Sequence, residues 1–347
     1  MKKLIYAILL TLTFVSCKEE ATVTAPSKIV FDGIDSTIKP GDDFFNHVNK
    51  TWFKNAVIAD DQIGVGSYRF LNIPQQELLK NILEEVSQKE HPKGSVEQLV
   101  GDFFASGMDT VSINERGSKP IQPILDRINA ITDISSITEF AATQIKSGDY
   151  SIFSPYISPD QKNSTLNILH FSQTGLGLPD RDYYFKDDPS VKSIQEAYKT
   201  YLTTLFELVG ESDAKAKADI VYSIEKQMAT SHKTRIERRV VKENYHKLAV
   251  DDLNTKHPNI GWSALLKNLG TAVDSVDVRQ TAYYDTLNTM LTSVPLENWK
   301  LYLKANSIGS HDNILSKPFQ DASFEYSKVI SGQSVQQPRT KLMVRRV

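Results

Sequence analysis

Cysteine is nearly absent from the sequence, which has only Cys17 among its 347 residues. A single cysteine excludes an internal disulfide and any zinc site built from several thiolates. The chain must therefore fold around an ordinary apolar core. Its length and its 40% of apolar residues are sufficient for such a core.

Several catalytic signatures are also missing. No two histidines stand four residues apart with a glutamate after the first, so the zinc-binding helix motif H-E-x-x-H is absent. The sequence has neither a G-x-S-x-G nucleophile elbow nor a Walker phosphate loop. We therefore predict no catalytic residue and no metal ligand in this chain, and the substrate-binding residues stay unknown. The scattered histidines are His47, His91, His170, His232, His246, His257 and His311.

Charge of one sign is not in excess either. The formal net charge is −2, with 40 basic and 42 acidic residues. A nucleic-acid partner normally requires a basic surplus, so none is expected.

The first residues resemble a bacterial lipoprotein signal. Lys2 and Lys3 precede the apolar run Leu4–Val15, which is too short to span a membrane as a helix. The resemblance implies that Cys17 is lipidated and becomes the first residue. We expect a signal peptide over residues 1–16, a lipidated cysteine and tether over 17–30, and an envelope protein anchored to a membrane, periplasmic or surface-exposed. An ordinary secretory signal with a stray cysteine is the alternative.

Apolar residues at helical spacing dominate the remainder, residues 31–347, and predict a mainly α fold: one large multi-helix domain with a small β-hairpin. The clearest stripes lie in Pro74–Ser87 and Val191–Val209. Further helices are predicted for Ser212–Arg239 and for Ser323–Val347.

Shorter signals refine this picture. Asp42 or Asp43 is predicted to cap the helix that follows, and Ser95 and Ser136 are each predicted to open a helix with a capping box. The strands of the hairpin are predicted at Ser151–Ser158 and Thr165–Phe171.

The segment Gly175–Phe185, GLGLPDRDYYF, is the most distinctive loop of the sequence. Its glycines permit unusual backbone angles and Pro179 restricts them, which is typical of a fixed corner between packed elements. A substrate-contacting loop is the alternative. A basic run later in the chain has two interpretations as well: a solvated helix end, which we favour, or an anion or substrate-carboxylate site. The run contains Lys233, Arg235, Arg238, Arg239 and Lys242.

Four ordered segments resemble the neprilysin and endothelin-converting-enzyme family of zinc metallopeptidases. They are Pro40–Trp52 (PGDDFFNHVNKTW), Gly101–Asp109 (GDFFASGMD), the loop GLGLPDRDYY and Leu296–Leu303 (LENWKLYL). The match covers residues 31–347 and only the amino-terminal half of the family pattern. It implies the amino-terminal helical domain of a two-domain, zincin-type peptidase, truncated at its C-terminal end, whose catalytic domain is missing from this chain.

The resemblance also implies peptide substrates, zinc in the complete enzyme and an intramolecular partner in the missing catalytic half. Animal members place two arginines after the first block to bind a substrate carboxylate. The matching positions here are Gly64 and Asn72, which cannot form that ionic contact, and Arg69 lies between them in a different register.

Three interpretations of function stay open at this point. The chain is the cleft-covering part of a zinc peptidase, a non-catalytic helical lipoprotein that binds peptides, or an inactive fragment. The first predicts that residues 21–347 alone cleave no peptide.

Overall fold

The computed structural model describes residues 34–347, so the predicted signal peptide, Cys17 and the tether lie outside the described residues. Fourteen α-helices and four strands are found in this part of the chain. The helices are α1 Phe44–Asn55, α2 Ser67–Ser87, α3 Val96–Met108, α4 Thr110–Arg116, α5 Gln122–Asn129, α6 Ile134–Ile145, α7 Pro189–Leu208, α8 Ala214–Ala229, α9 Val250–Lys256, α10 Trp262–Leu269, α11 Thr281–Ser293, α12 Leu296–His311, α13 Lys317–Ser331 and α14 Arg339–Val344. The strands are β1 Ser154–Asp160, β2 Asn163–Ser172, β3 Lys247–Ala249 and β4 Ser275–Val278. The mainly α prediction with a small β element is confirmed.

Helix α1 belongs to a small unit that ends at Ile58 and is described here by itself. Asp43 caps it, because its carboxylate accepts a hydrogen bond from the Asn46 amide at 2.9 Å. Ahead of the helix, the Asp35 amide donates to the His47 carbonyl at 2.8 Å. Asp35 also pairs with Lys50 at 3.3 Å, which ties the entering chain to the helix.

In the second unit, residues 59–347, the predicted hairpin is part of a larger sheet. Strands β1 and β2 pair antiparallel, β2 pairs parallel with β4, and β3 pairs antiparallel with β4, giving the order β1-β2-β4-β3. The sequence predicted β1 and β2, whereas β3 and β4, of three and four residues, are too short for a periodic signal.

The main core of this second unit is unusually aromatic. It buries two tryptophans, Trp262 and Trp299, and four tyrosines completely or almost so: Tyr184, Tyr283, Tyr284 and Tyr302. A buried phenol must find a hydrogen-bond partner, and for three of these four tyrosines it is a backbone carbonyl. Tyr283 donates to the Ile152 carbonyl at 2.8 Å, and Tyr284 donates to the Ser172 carbonyl at 2.9 Å. The core therefore fixes the chain on either side of β1 and β2.

Four local predictions were wrong. Helix α2 begins at Ser67 and contains Pro74 instead of starting there. Asp133, not Ser136, caps α6 and accepts the Ser136 amide at 2.8 Å. Helix α8 ends at Ala229, ten residues before the predicted end.

The fourth concerns the predicted stretch Ser323–Val347, which is two helices. They are separated at Gly332, whose φ of +73° ends α13 in the left-handed region. No helix within residues 34–347 combines the length and apolarity needed to cross a bilayer.

Candidate functional site

The Gly175–Phe185 loop is fixed by tyrosine hydroxyls. Tyr302 of α12 donates to the Gly175 carbonyl at 3.1 Å, and Tyr326 of α13 donates to the Gly177 carbonyl at 2.9 Å. Tyr184, within the loop, accepts the Leu178 amide at 3.1 Å. These contacts agree with the interpretation of the segment as a structural corner.

Both loop glycines are required by close approach. Gly175 has φ of +94°, and a Cβ there would lie 2.8 Å from the Tyr302 hydroxyl. A Cβ on Gly177 would lie 1.8 Å from the hydroxyl of Tyr198 on α7, which no rotamer change at position 177 can avoid. The two glycines therefore allow the loop to lie directly on the aromatic core.

Beneath the loop lies a carboxyl group that the sequence analysis missed. Glu225 of α8 is 4% exposed and accepts hydrogen bonds from Tyr198 at 2.7 Å and Tyr184 at 2.8 Å. Burial raises the pKa of Glu225 to about 7, and the tyrosine hydrogen bonds partly oppose that rise. The sequence could have indicated this buried carboxyl group, because Glu225 stands next to the apolar positions Val221 and Ile224 of the same helix. Its partners enclose it, so its role is to join α7, α8 and the loop.

A serine, a histidine and an aspartate form a hydrogen-bonded chain across the sheet. Ser158 Oγ lies 2.9 Å from His170 Nε2, and His170 Nδ1 lies 2.7 Å from Asp277 Oδ2. The other Asp277 oxygen accepts the His246 amide at 2.6 Å, and Tyr156 stacks on the imidazole at 4.8 Å. His170 and Asp277 are fully buried. Both imidazole nitrogens and both carboxylate oxygens have partners within the chain, so this cluster joins β1, β2 and β4.

The largest cavity described lies between α2, α13, α14 and the loop that links the last two helices. Its volume is about 610 Å³. Carboxamides are frequent on its walls, and Ile63, Ile73, Phe324 and Leu342 add apolar surface. The carboxamides belong to Gln62, Asn72, Gln76, Asn313, Gln320, Gln333, Gln336 and Gln337. Carboxamides donate and accept hydrogen bonds, as the peptide backbone does.

Three cationic side chains line the same cleft: Arg69, Lys341 and Arg345. Lys341 is paired with Asp61, and Arg345 donates to the Gln337 side chain. The only hydrogen bond of the Arg69 side chain within residues 34–347 is a long one of 3.5 Å to Gln62. Arg69 is therefore the cation that is most available to an anionic ligand.

The structure also locates the two family arginine positions. Asn72 lines the cleft, whereas Gly64 does not, although its neighbour Ile63 does. Arg69 shares the cleft with Asn72 in spite of its different register, because both stand on α2 about one turn apart. The cleft thus contains a guanidinium that an alignment by position would miss.

The donor set of residues 34–347 does not fit zinc. This part of the chain has no group of three or more histidine, cysteine or acidic side chains arranged to hold a metal ion. A catalytic zinc site takes three such ligands around an open position.

Comparison with known proteins identifies related chains. The family model of the amino-terminal domain of peptidase family M13 matches residues 40–347. Endothelin-converting enzyme 1 of Cavia porcellus is 26% identical over 330 residues, which cover 91% of this chain and 43% of the relative. Endothelin-converting enzyme-like 1 of Rattus norvegicus is 24% identical over 336 residues, with 91% and 43% covered. The chain spans less than half the length of these curated relatives.

Solved structures agree with these matches. The crystal structure of the zinc metalloprotease Zmp1 of Mycobacterium tuberculosis in complex with inhibitor has a TM-score of 0.85 at 27% identity. The match covers 91% of this chain and 49% of that one. The open state of Zmp1 gives a TM-score of 0.76 at 26% identity, with 89% and 48% covered.

Proposed function

The chain belongs to peptidase family M13, and we propose that it forms the helical domain covering the catalytic cleft of a neprilysin-like zinc metalloendopeptidase. In this proposal the zinc ligands and the general base lie in a catalytic half outside this chain. The helical domain binds peptides and restricts which substrates reach the zinc.

The cleft between α2, α13 and α14 is the observation that carries this proposal. Its carboxamides match the hydrogen-bonding groups of a peptide backbone, and Arg69 offers a charge to a substrate carboxylate. Its volume of about 610 Å³ accommodates a short peptide segment and not a folded protein.

The apolar surface of α2 and α3 supports a further part of the proposal. Leu78, Leu79, Leu99 and Phe103 are each about half exposed or more. Exposed apolar patches of this kind are typical of surfaces that another domain covers. We assign the catalytic half as the intramolecular partner that covers it in the complete enzyme.

The test uses a fluorogenic peptide library with and without a chelator. Residues 21–347 alone should give no turnover above background, with or without added zinc. Fusion to the catalytic half of a close relative, including its H-E-x-x-H helix, should give chelator-sensitive hydrolysis. Chelator-sensitive turnover by residues 21–347 alone would contradict the proposal.

A pair of arginine variants tests the cleft itself in that fused enzyme. Arg69→Ala should raise KM for peptides about tenfold with little change in kcat, since it removes one charge-assisted contact. Arg116→Ala, an exposed arginine on α4 outside the cleft, should leave KM unchanged. If the two variants changed KM equally, the cleft would not be the site that binds peptides. Peptide binding by residues 21–347 together with an inactive fusion would favour the non-catalytic binding protein.

For location, we propose a lipid anchor at Cys17 and residence in the cell envelope. The lysines and short apolar run before Cys17 support it. A radioactive fatty acid should label the wild type and not Cys17→Ser. Equal label in both proteins would end this proposal.

A further inference from the structure

A second, smaller cavity lies between the Gly175–Phe185 loop and the basic run. Its volume is about 150 Å³, and four cationic side chains line it: Arg181, Lys233, Arg235 and Arg238. The basic run follows α8 instead of extending it, and Lys233, Arg235 and Arg238 of the run line this cavity, both arginines being exposed. This cavity shares no lining residue with the cleft between α2, α13 and α14.

The walls are fixed by buried carboxamides. Gln173 and Lys233 bind each other reciprocally: the Lys233 amide donates to the Gln173 side chain at 2.8 Å, and that side chain donates to the Lys233 carbonyl at 2.9 Å. Gln280 accepts the Gln173 amide at 2.9 Å and donates to Asn244 at 2.9 Å. Asn244 in turn donates to the Glu237 carbonyl at 2.7 Å. The backbone that carries the basic run is therefore held in place by hydrogen bonds within the chain.

The acidic groups around the cavity neutralise only part of its charge. Asp180 pairs with Arg235 at 2.9 Å, and Asp182 accepts from Arg181 at 3.3 Å. Glu237 is bound to the Thr234 amide and hydroxyl at 2.7 and 2.8 Å. Arg238 makes no ion pair with any described residue.

A buried imidazole adds an unsatisfied polar atom. His232 also lines the cavity, is only 7% exposed, and its Nε2 has no hydrogen-bond partner within residues 34–347. Burial, with smaller contributions from Arg238 and Arg181, lowers the pKa of His232 to about 4. The imidazole is therefore neutral at pH 7 and adds no charge to the cavity, and its hydrogen bond to the Thr174 backbone uses the single N–H of the neutral ring.

We propose that this cavity binds a small oxyanion, a carboxylate or a phosphate group, held by Arg238 and Arg181 with His232 beside it. Planar guanidinium groups match the paired oxygens of both anions. The Asp180 carboxylate already occupies Arg235, so it competes with the incoming anion for the same cationic wall.

The experiment is calorimetric titration of the purified full chain with inorganic phosphate, with ionic strength held constant by chloride. We expect saturable binding with a dissociation constant of about 1 mM or lower. Arg238→Ala should weaken binding at least about tenfold. Arg239→Ala removes the same charge one residue away, outside the cavity lining, and should change affinity less than about twofold.

The variant Asp180→Asn distinguishes loss of the site from misfolding, because it is expected to gain affinity. It removes the competing carboxylate and should tighten phosphate binding, a gain that a misfolded variant cannot produce. A short peptide with a free C-terminal carboxylate, compared with its amide, then separates a peptide carboxylate from free phosphate as the source of the anion. No saturable binding of phosphate or of the peptide acid up to about 10 mM, a salt effect shared equally by Arg238→Ala and Arg239→Ala, or weaker binding by Asp180→Asn would each overturn the proposal.

Discussion

Two parts of the second unit carry the same helical pattern of apolar residues and bury it very differently. In α7, Val191, Tyr198, Leu202 and Leu205 are all less than one-tenth exposed, and the last three belong to the aromatic core. In α2 and α3, which we call the amino-terminal helix pair, Leu79 is 47% exposed and Phe103 is 50% exposed.

The helix pair has only a small core of its own. Leu83, Phe104, Met343 and Val344 are buried together where α14 packs against the pair. The helices are nevertheless close, since a Cβ on Gly101 of α3 would lie 3.0 Å from the Val86 carbonyl oxygen of α2. Tight backbone contact and a mostly exposed stripe therefore occur together in the helix pair.

The comparison shows that periodicity reports which face of a helix is apolar and not what covers that face. Within α7 the covering elements are in this chain. For the helix pair, the small buried cluster found within residues 34–347 is completed by α14. The pattern alone was the same in both cases, so the sequence could not distinguish them.

The largest effect is expected from a matched pair of leucine truncations. Leu205→Ala should lower the free energy of unfolding by about 2–5 kcal/mol, because it leaves a cavity in the aromatic core. Leu79→Ala should change it by less than about 0.5 kcal/mol, since the side chain is half exposed. Urea denaturation followed by circular dichroism measures both. Comparable losses in the two variants would contradict the difference in burial.

The second prediction concerns the buried carboxyl group of the aromatic core. The pKa of Glu225 is about 7 in the folded chain, above its usual value of 4.5. Between these values the folded state holds a proton that the unfolded chain releases, so stability falls as pH rises from 4.5 to 7. The full shift corresponds to a loss on the order of 3 kcal/mol. Glu225→Gln cannot titrate and should flatten this part of the stability profile.

The control for this prediction is in the helix pair. Glu85 is exposed, and the hydrogen bond from Lys89 lowers its pKa, so above about pH 5.5 it is ionised whether the chain is folded or unfolded. Glu85→Gln should leave the slope unchanged. An identical slope in wild type and Glu225→Gln would show that the buried carboxyl does not titrate there.

Sequence predictions of the fold succeeded where the signal came from residues that are close together in the chain. The Asp43 cap and the two strands of the hairpin depend on nearby residues, and these predictions were confirmed within a few positions. The end of α8 depends on Gln173, sixty residues away, whose bonds to Lys233 hold the chain in its course after the helix. Strand β4 is formed by pairing with β2 and β3, so its four residues carry too little pattern to be recognised.

The candidate sites divide in the same way. The resemblance located the Gly175–Phe185 loop, and the basic run was noted as a possible anion site. Glu225 and the Ser158–His170–Asp277 cluster were missed, and Arg69 was named but set aside because of its register. Each of them becomes visible only when distant segments come together in the fold.

A third prediction compares helix caps in the two parts. Ser95 accepts the Gln98 amide of α3 at 3.2 Å, and Asp188 accepts the Val191 amide of α7 at 3.0 Å. Ser95→Ala and Asp188→Ala should each cost about 1 kcal/mol. Because the helix pair is poorly covered, hydrogen exchange should show the Ser95→Ala loss as local opening of α2 and α3, and the Asp188→Ala loss as global unfolding. Loss of protection across the whole chain in both variants would show that the helix pair and the aromatic core unfold together.

The smallest effect on unfolding, and the most direct test of the exposed stripe, comes from polar replacement. The double variant Leu79→Ser with Phe103→Ser should change the unfolding free energy by less than about 1 kcal/mol, since exposed side chains contribute little to folding. It should still lower self-association, because exposed apolar patches drive contacts between copies. Sedimentation velocity over a range of concentrations measures this for residues 21–347, and Ile236→Ser, which changes an apolar side chain that is 77% exposed outside the pair, is the control. If the wild type sediments as a monomer at every concentration and melts cooperatively, the exposed stripe does not cause self-association. Residues 21–347 then fold stably without a partner. If only the double variant dissociates, the helix pair is the surface through which copies of residues 21–347 associate.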